Sequence, residues 1–130
     1  MSIETSIYTA LAAESTITDL VSTRIYPSIA PADADFPAIV FEKYSHDVQV
    51  YLDRSVETTN TQYFRFHILA STYASMAGIR DALRSFLSGK YGSFGGDELS
   101  PARLLTEVDG YDDESSLFHS ISDYRLDIIT

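Results

Sequence analysis

The clearest alternation in the chain runs from Gln62 to Ala70. Phe64, Phe66 and Ile68 fall on one side, and Tyr63, Arg65 and His67 on the other. A two-residue period is that of a β-strand with one buried face. Such a strand cannot stand alone, because its aromatic side must be covered while its charged side stays wet. The chain therefore needs neighbouring strands and a layer of helix over one face.

The flanking sequence supplies both. Ser2 is placed to cap a helix starting at Ile3, with Glu4 in the first turn and Ile3, Ile7 and Leu11 as one apolar stripe. Thr16 to Asp19 reads as a capping box opening a short turn through Leu20 and Val21. Arg24-Ile25-Tyr26 reads as a strand closed by Pro27, and three prolines between residues 27 and 37 mark a loop. Ala38 to Asp47 reads as a strand, apolar at first and polar later. Residues 48–60 read as an exposed hairpin arm or loop.

Ser71 or Thr72 is placed to cap the main helix, which runs to about Ser88 and ends at Gly89. Met76, Ile79, Leu83, Phe86 and Leu87 mark its buried side, and Asp81, Arg84, Ser85 and Ser88 its wet side. The glycine-rich stretch from Tyr91 to Pro101 is expected to be loop or short strand. Arg103 to Val108 follows as a strand with Leu104 and Val108 inward, then an acidic turn over Asp109 to Glu114. Leu117 to Ile129 closes the chain as a strand with Tyr124, Leu126 and Ile128 toward the core. The sum is one α+β domain over residues 1–130. It has a mostly antiparallel sheet, a long helix and an N-terminal helix packed on it, and a protruding hairpin arm.

Reactive chemistry is hard to find. The absence of cysteine removes disulfides, thiolate metal sites and cysteine nucleophiles, and fits a reducing cytoplasm. His46, His67 and His119 fall on three different strands without a ligand motif beside them, so neither metal nor cofactor is expected. Asp109-Gly110-Tyr111-Asp112 lacks the alternating ligands of a calcium loop. Gly92 to Gly96 lacks the Lys-Ser/Thr ending of a phosphate loop. No apolar run approaches the roughly 20 residues that span a bilayer. The start of the chain has no signal-peptide pattern.

Net charge is −10, and residues 97–130 carry nine of the 19 acids against only Arg103 and Arg125. Clustered Lys and Arg, which phosphate binding requires, are missing. The bland reading is a charge that keeps a small domain soluble.

The order of these pieces carries more than any one of them. A helical region ends in Ile17, Leu20 and Val21. Arg24-Ile25-Tyr26-Pro27 follows, and a proline loop leads into Phe36-Pro37-Ala38-Ile39-Val40. Tyr63-Phe64-Arg65-Phe66-His67-Ile68 then runs through Ala70-Ser71-Thr72-Tyr73 into the Ala77 to Leu83 helix, and Tyr124-Arg125-Leu126 closes the chain. Over nearly its whole length the sequence resembles the tail-terminator, or tail-completion, proteins of long-tailed bacteriophages.

That resemblance implies a structural virion protein, not an enzyme, assembled in the host cytoplasm. It implies a ring, commonly hexameric, at the head-proximal end of the tail tube. The ring stops tube growth and joins the tail to the head connector, and DNA transits its pore without specific binding. The implied partners are further copies of the chain, the tail-tube protein and the connector or stopper protein, with no membrane. Tyr51, Leu52 and Arg54 are the interface candidates on the arm. Asp53, Glu57, Asp109, Asp112, Asp113 and Glu114 are the acidic candidates for a pore wall that lets duplex slide. The alternatives are another neck component such as a head-completion or stopper protein, a small acidic binding module, or an enzyme built on scattered carboxylates.

Overall fold

The computed structural model describes residues 3–47 and 59–129. Ser2, proposed as the first helix cap, and the arm through residue 58 lie outside the described residues. The elements are α1 (Ile3–Ala12), α2 (Ser15–Val21), β1 (Ile25–Pro27), β2 (Ala38–Asp47), β3 (Thr59–Ala70), α3 (Tyr73–Leu87), β4 (Gly92–Phe94), β5 (Asp97–Asp112) and β6 (Leu117–Ile129). The strands form one sheet in the order β1-β2-β3-β6-β5-β4. Only the β1–β2 pair is parallel. The fold is α+β, with helices over a mostly antiparallel sheet, as the alternation demands.

The core forms where the apolar sides of successive strands come into register. Phe41 pairs with Phe66, Ile39 with Ile68, and Phe64 with Tyr124. Phe66 stacks on Phe41 at 5.9 Å between ring centroids and meets Tyr124 edge-on at 5.5 Å. Ile7 and Leu11 of α1, Ile17 and Val21 of α2, and Met76, Ile79, Leu83 and Leu87 of α3 complete the same cluster. All three helices therefore cover one face. Among the described residues, no helix covers the β3 face carrying Tyr63, Arg65 and His67.

Local chemistry sets the ends of the elements. Thr72 caps α3, its hydroxyl accepting from the Ser75 amide at 3.2 Å. Gly89 follows the helix with φ +77°, a conformation that favours glycine, and its amide donates to the Ala102 carbonyl at 2.8 Å. Ala102 returns a bond through its own amide to the Lys90 carbonyl at 2.9 Å. These two bonds tie the end of α3 to β5 where β5 leaves register with β6. Gly95 sits at φ +58° against α1, and a Cβ there would run into the Ser6 carbonyl. Next to it, the Ser6 hydroxyl donates to Asp97 at 2.5 Å.

Three expectations are corrected. The box over Thr16 to Asp19 does not form. Instead α2 starts at Ser15, Glu14 occupies the cap position without a side-chain cap bond, and Thr16 donates to the Glu14 carboxylate at 3.0 Å. The strand expected over Arg103 to Val108 runs from Asp97 to Asp112, because β4 turns back onto its start through Gly95 and Gly96 and Asp109 to Asp112 pair with β6 instead of turning. Val108 points away from the helices and is 61% exposed. β5 has two register shifts, one between Ser100 and Arg103 and one between Leu104 and Thr106, and the second, lying between Leu104 and Val108, is the reason. Each bulge adds a residue and reverses the alternation that follows. Pro101, with no amide hydrogen to give a ladder, sits in the first.

Phe66→Ala should cost about 3–5 kcal/mol in urea unfolding followed by circular dichroism. Ile29→Ser, on an exposed loop side chain, should stay within about 0.5 kcal/mol. Gly95→Ala should destabilise by roughly 1–3 kcal/mol through its backbone conformation alone, with the collision against α1 added.

Candidate interaction surfaces

Of the acidic candidates, Asp112, Asp113 and Glu114 come together at the exposed tip of the β5–β6 hairpin. Asp112 shapes the turn, accepting from the Glu114 amide at 3.1 Å and the Ser115 hydroxyl at 2.8 Å. Asp109 is placed differently. It lies in β5 rather than in a turn, and its carboxylate accepts from Arg80 of α3 at 2.5 Å. Tyr51, Leu52, Asp53, Arg54 and Glu57 lie outside the described residues.

Asp109 belongs to a polar seam that fixes α3 on the sheet. Past the second bulge, β5 turns Glu107 and Asp109 toward the helix. Arg80 approaches Glu107 at 3.7 Å as well as Asp109, and Arg84 reaches Glu107 at 2.9 Å and Asp81 at 2.6 Å. Burial works against the charge on Arg80. Hydrogen bonds to Tyr73 and Asp81, with the Asp109 charge, override it and raise the pKa. Beneath this seam lies Tyr124. Its hydroxyl is buried with no hydrogen-bond partner among the described residues. Burial raises its pKa, the Glu107 charge adds to the rise, and Arg84 partly opposes it.

The helix-free face carries a second polar ladder. Arg65 holds Asp123 on the neighbouring strand through two bonds, 2.8 and 3.1 Å. The hydrogen bond to Asp123 is the main cause of the raised Arg65 pKa. Thr106 donates to the same carboxylate at 3.2 Å, Thr61 donates to Asp127 at 2.6 Å, and His67 meets Glu42 at 3.1 Å. Tyr44 lies 4.8 Å from the Arg65 guanidinium and 6.0 Å from the Tyr63 ring. Burial, then the Asp123 charge, raises its pKa. His119 packs over Gly110, where a Cβ would strike the imidazole. Most charges on this face are matched across strands, which suits a surface that meets protein.

Two further features mark the described surface, and the first was missed by the sequence reading. Tyr73, Tyr111 and Phe118 form an aromatic cleft of about 280 Å³ beside the acidic tip, with Phe118 at 4.7 Å from Tyr111 and 6.0 Å from Tyr73. Tyr111 and Phe118 face each other across the β5–β6 hairpin, and the β3–β6 pairing of Ala70 with Phe118 brings Tyr73 at the start of α3 to them. The other feature is a pair of open sheet edges. Among the described residues, β1 covers β2 only as far as Phe41, and β4 covers β5 only over Asp97 to Leu99. The clefts elsewhere are shallow, and no group of three or more acidic or histidine side chains among the described residues is arranged to hold a metal.

Comparison with known proteins agrees with that geometry. The family described as tail completion protein gp17 matches residues 5–128. The chain belongs to the tail completion protein gp17 family. It is a structural component of the tail and neck region of a phage-type virion. No curated protein sequence matches it. Among solved structures, a chain in the virion of a native gene transfer agent particle shares the fold. The TM-score is 0.72 at 15% identity, over 95% of this chain and 92% of that one.

The Tyr124 hydroxyl gives a test of the seam. Its raised folded-state pKa means the native protein keeps a proton that the unfolded chain loses above about pH 10. Stability from this group is thus full below pH 10 and lost as pH rises toward the folded value. Tyr124→Phe should change stability at pH 7 by less than about 1 kcal/mol, because no protein hydrogen bond is removed. It should also flatten the alkaline decline, measured by urea unfolding at pH 7 and pH 10.5. A steeper decline in the variant would contradict the assignment.

Proposed function

We propose that this tail completion protein closes into a ring, hexameric as the family resemblance suggests, on the head-proximal end of the tail tube. The ring ends tube growth, presents the docking surface for the head connector, and leaves a central passage for DNA. It acts through shape and contact between copies, without a reactive group. The family match over residues 5–128 carries this reading. The two open edges on opposite sides of one sheet support it, since a ring needs two different surfaces that join head to tail.

The acidic tip belongs to the passage in this reading. Asp112, Asp113 and Glu114 are exposed together and have no basic residue among them in sequence. A wall of that charge repels phosphate and lets duplex slide. Asp109, tied to Arg80, contributes least to it.

Deleting the gene should yield overlong or unjoined tails beside filled heads in negative-stain micrographs. Particles of normal length and attachment would refute the role. Replacing Asp112, Asp113 and Glu114 together by Lys should leave the neck assembled and slow DNA release from purified particles. The retardation should weaken as salt is raised. Release at the unaltered rate would remove the tip from the passage.

A further inference from the structure

We propose that adjacent copies join by continuing the sheet. The open edge of β5 in one copy, Arg103 to Asp112, pairs antiparallel with the open edge of β2 in the next, Glu42 to Asp47. This rests on the ring reading and names its subunit joint.

Three observations lead to it. First, the strand directions fit. Within one chain β2, β3, β6 and β5 alternate in direction, so β5 runs opposite to β2. Copies related by rotation about an axis near the strand direction therefore present β5 beside β2 as an antiparallel pair.

Second, both free edges carry an exposed apolar side chain at mid-length on the same, helix-free face. Tyr44 is 42% exposed on β2 and Val108 is 61% exposed on β5. Tyr44 belongs to that face because it lies against Arg65 and Tyr63. Val108 belongs there because it pairs with Ile121. Joining the edges centre to centre brings Val108 opposite Ser45, with Tyr44 and Tyr63 beside it. Cross-strand packing then covers both apolar groups.

Third, on the helix side the β2 edge presents Lys43, and the β5 edge presents Glu107 and Asp109. The signs match across the joint, though these acids already serve Arg80 and Arg84. Long β-edges in proteins are usually covered, charged or broken. The β5 stretch from Thr106 to Asp112 holds neither proline nor lysine and keeps regular register with β6.

The joint has a geometric consequence. Within one chain Ser45 is level with Tyr63 and Arg125, while Val108 is level with Ile121. The two edge centres thus differ by four residues of β6, about 14 Å at the rise of an antiparallel strand. A ring built this way closes only if the strands tilt from its axis.

The absence of native cysteine makes a clean test. Ser45 and Val108 are both exposed, so a cysteine at either leaves the core intact. Inside one chain they sit three strand spacings apart sideways, about 14 Å, and four residues apart along the strands, far beyond the reach of a disulfide. Particles carrying Ser45→Cys and Val108→Cys in the same chain would be oxidised and run on denaturing gels. The expected result is a ladder in multiples of the 14.5 kDa chain, ending at the ring size, with neither single variant linking. A second pair, Ser45→Cys with Thr106→Cys, catches a register displaced by two residues. A dimer from Val108→Cys alone would mean β5 pairs with β5 across a two-fold, and overturns the proposal. No linkage from either pair, in particles whose neck contains the chain, also overturns it while leaving the neck role standing. Absence of the chain from the neck would overturn both.

Discussion

Everything in this fold hangs on the pairing of Phe41, Phe66 and Tyr124 across three adjacent strands. Their rings form one aromatic row on one face of the sheet. An apolar row of that size must be covered, and α3 covers it with Met76, Ile79 and Leu83 while α1 and α2 extend the cover toward β1 and β4. Because all the helical cover goes to one face, the opposite face is left to polar chemistry. The consequence is a two-layer protein with one greasy interior and one laddered, charged exterior.

The charged exterior is matched rather than random. Arg65 and Asp123 face each other across β3 and β6, and Thr61 and Thr106 take up carboxylate oxygens beside them. A sheet face arranged in this way is stiff at modest energetic gain, since partly exposed ion pairs contribute little individually. The seam of Arg80 and Arg84 on Glu107 and Asp109 does the corresponding job under α3. It sets where the helix lies on the sheet. For the ring proposed above, rigidity and placement of edges are the useful properties, because neighbours would have to meet the same surface in each copy.

Much of the architecture was readable from period and punctuation. Ala38–Asp47 appears at its expected limits, and Thr72 and Gly89 bracket α3 as capping chemistry requires. The burial of Phe64, Phe66 and Ile68 follows directly from alternation. What resisted was β5. Its alternation is reset by bulges that no local pattern announces, and the one after Leu104 turned Val108 outward and Asp109 under the helix. The aromatic cleft was equally hidden, because Tyr73 reaches the Tyr111–Phe118 hairpin pair only through the long-range register of β3 with β6.

Sequence alone determined the class of fold, the buried row, the helix ends and the family likeness, because each depends on short-range periodicity or on the order of elements along the chain. Tertiary structure decided which acids stand free, which are spent on arginine, and which strand edges stay open. Those outcomes depend on how strands far apart in the chain come into register, and a single bulge there moves every later side chain to the other face.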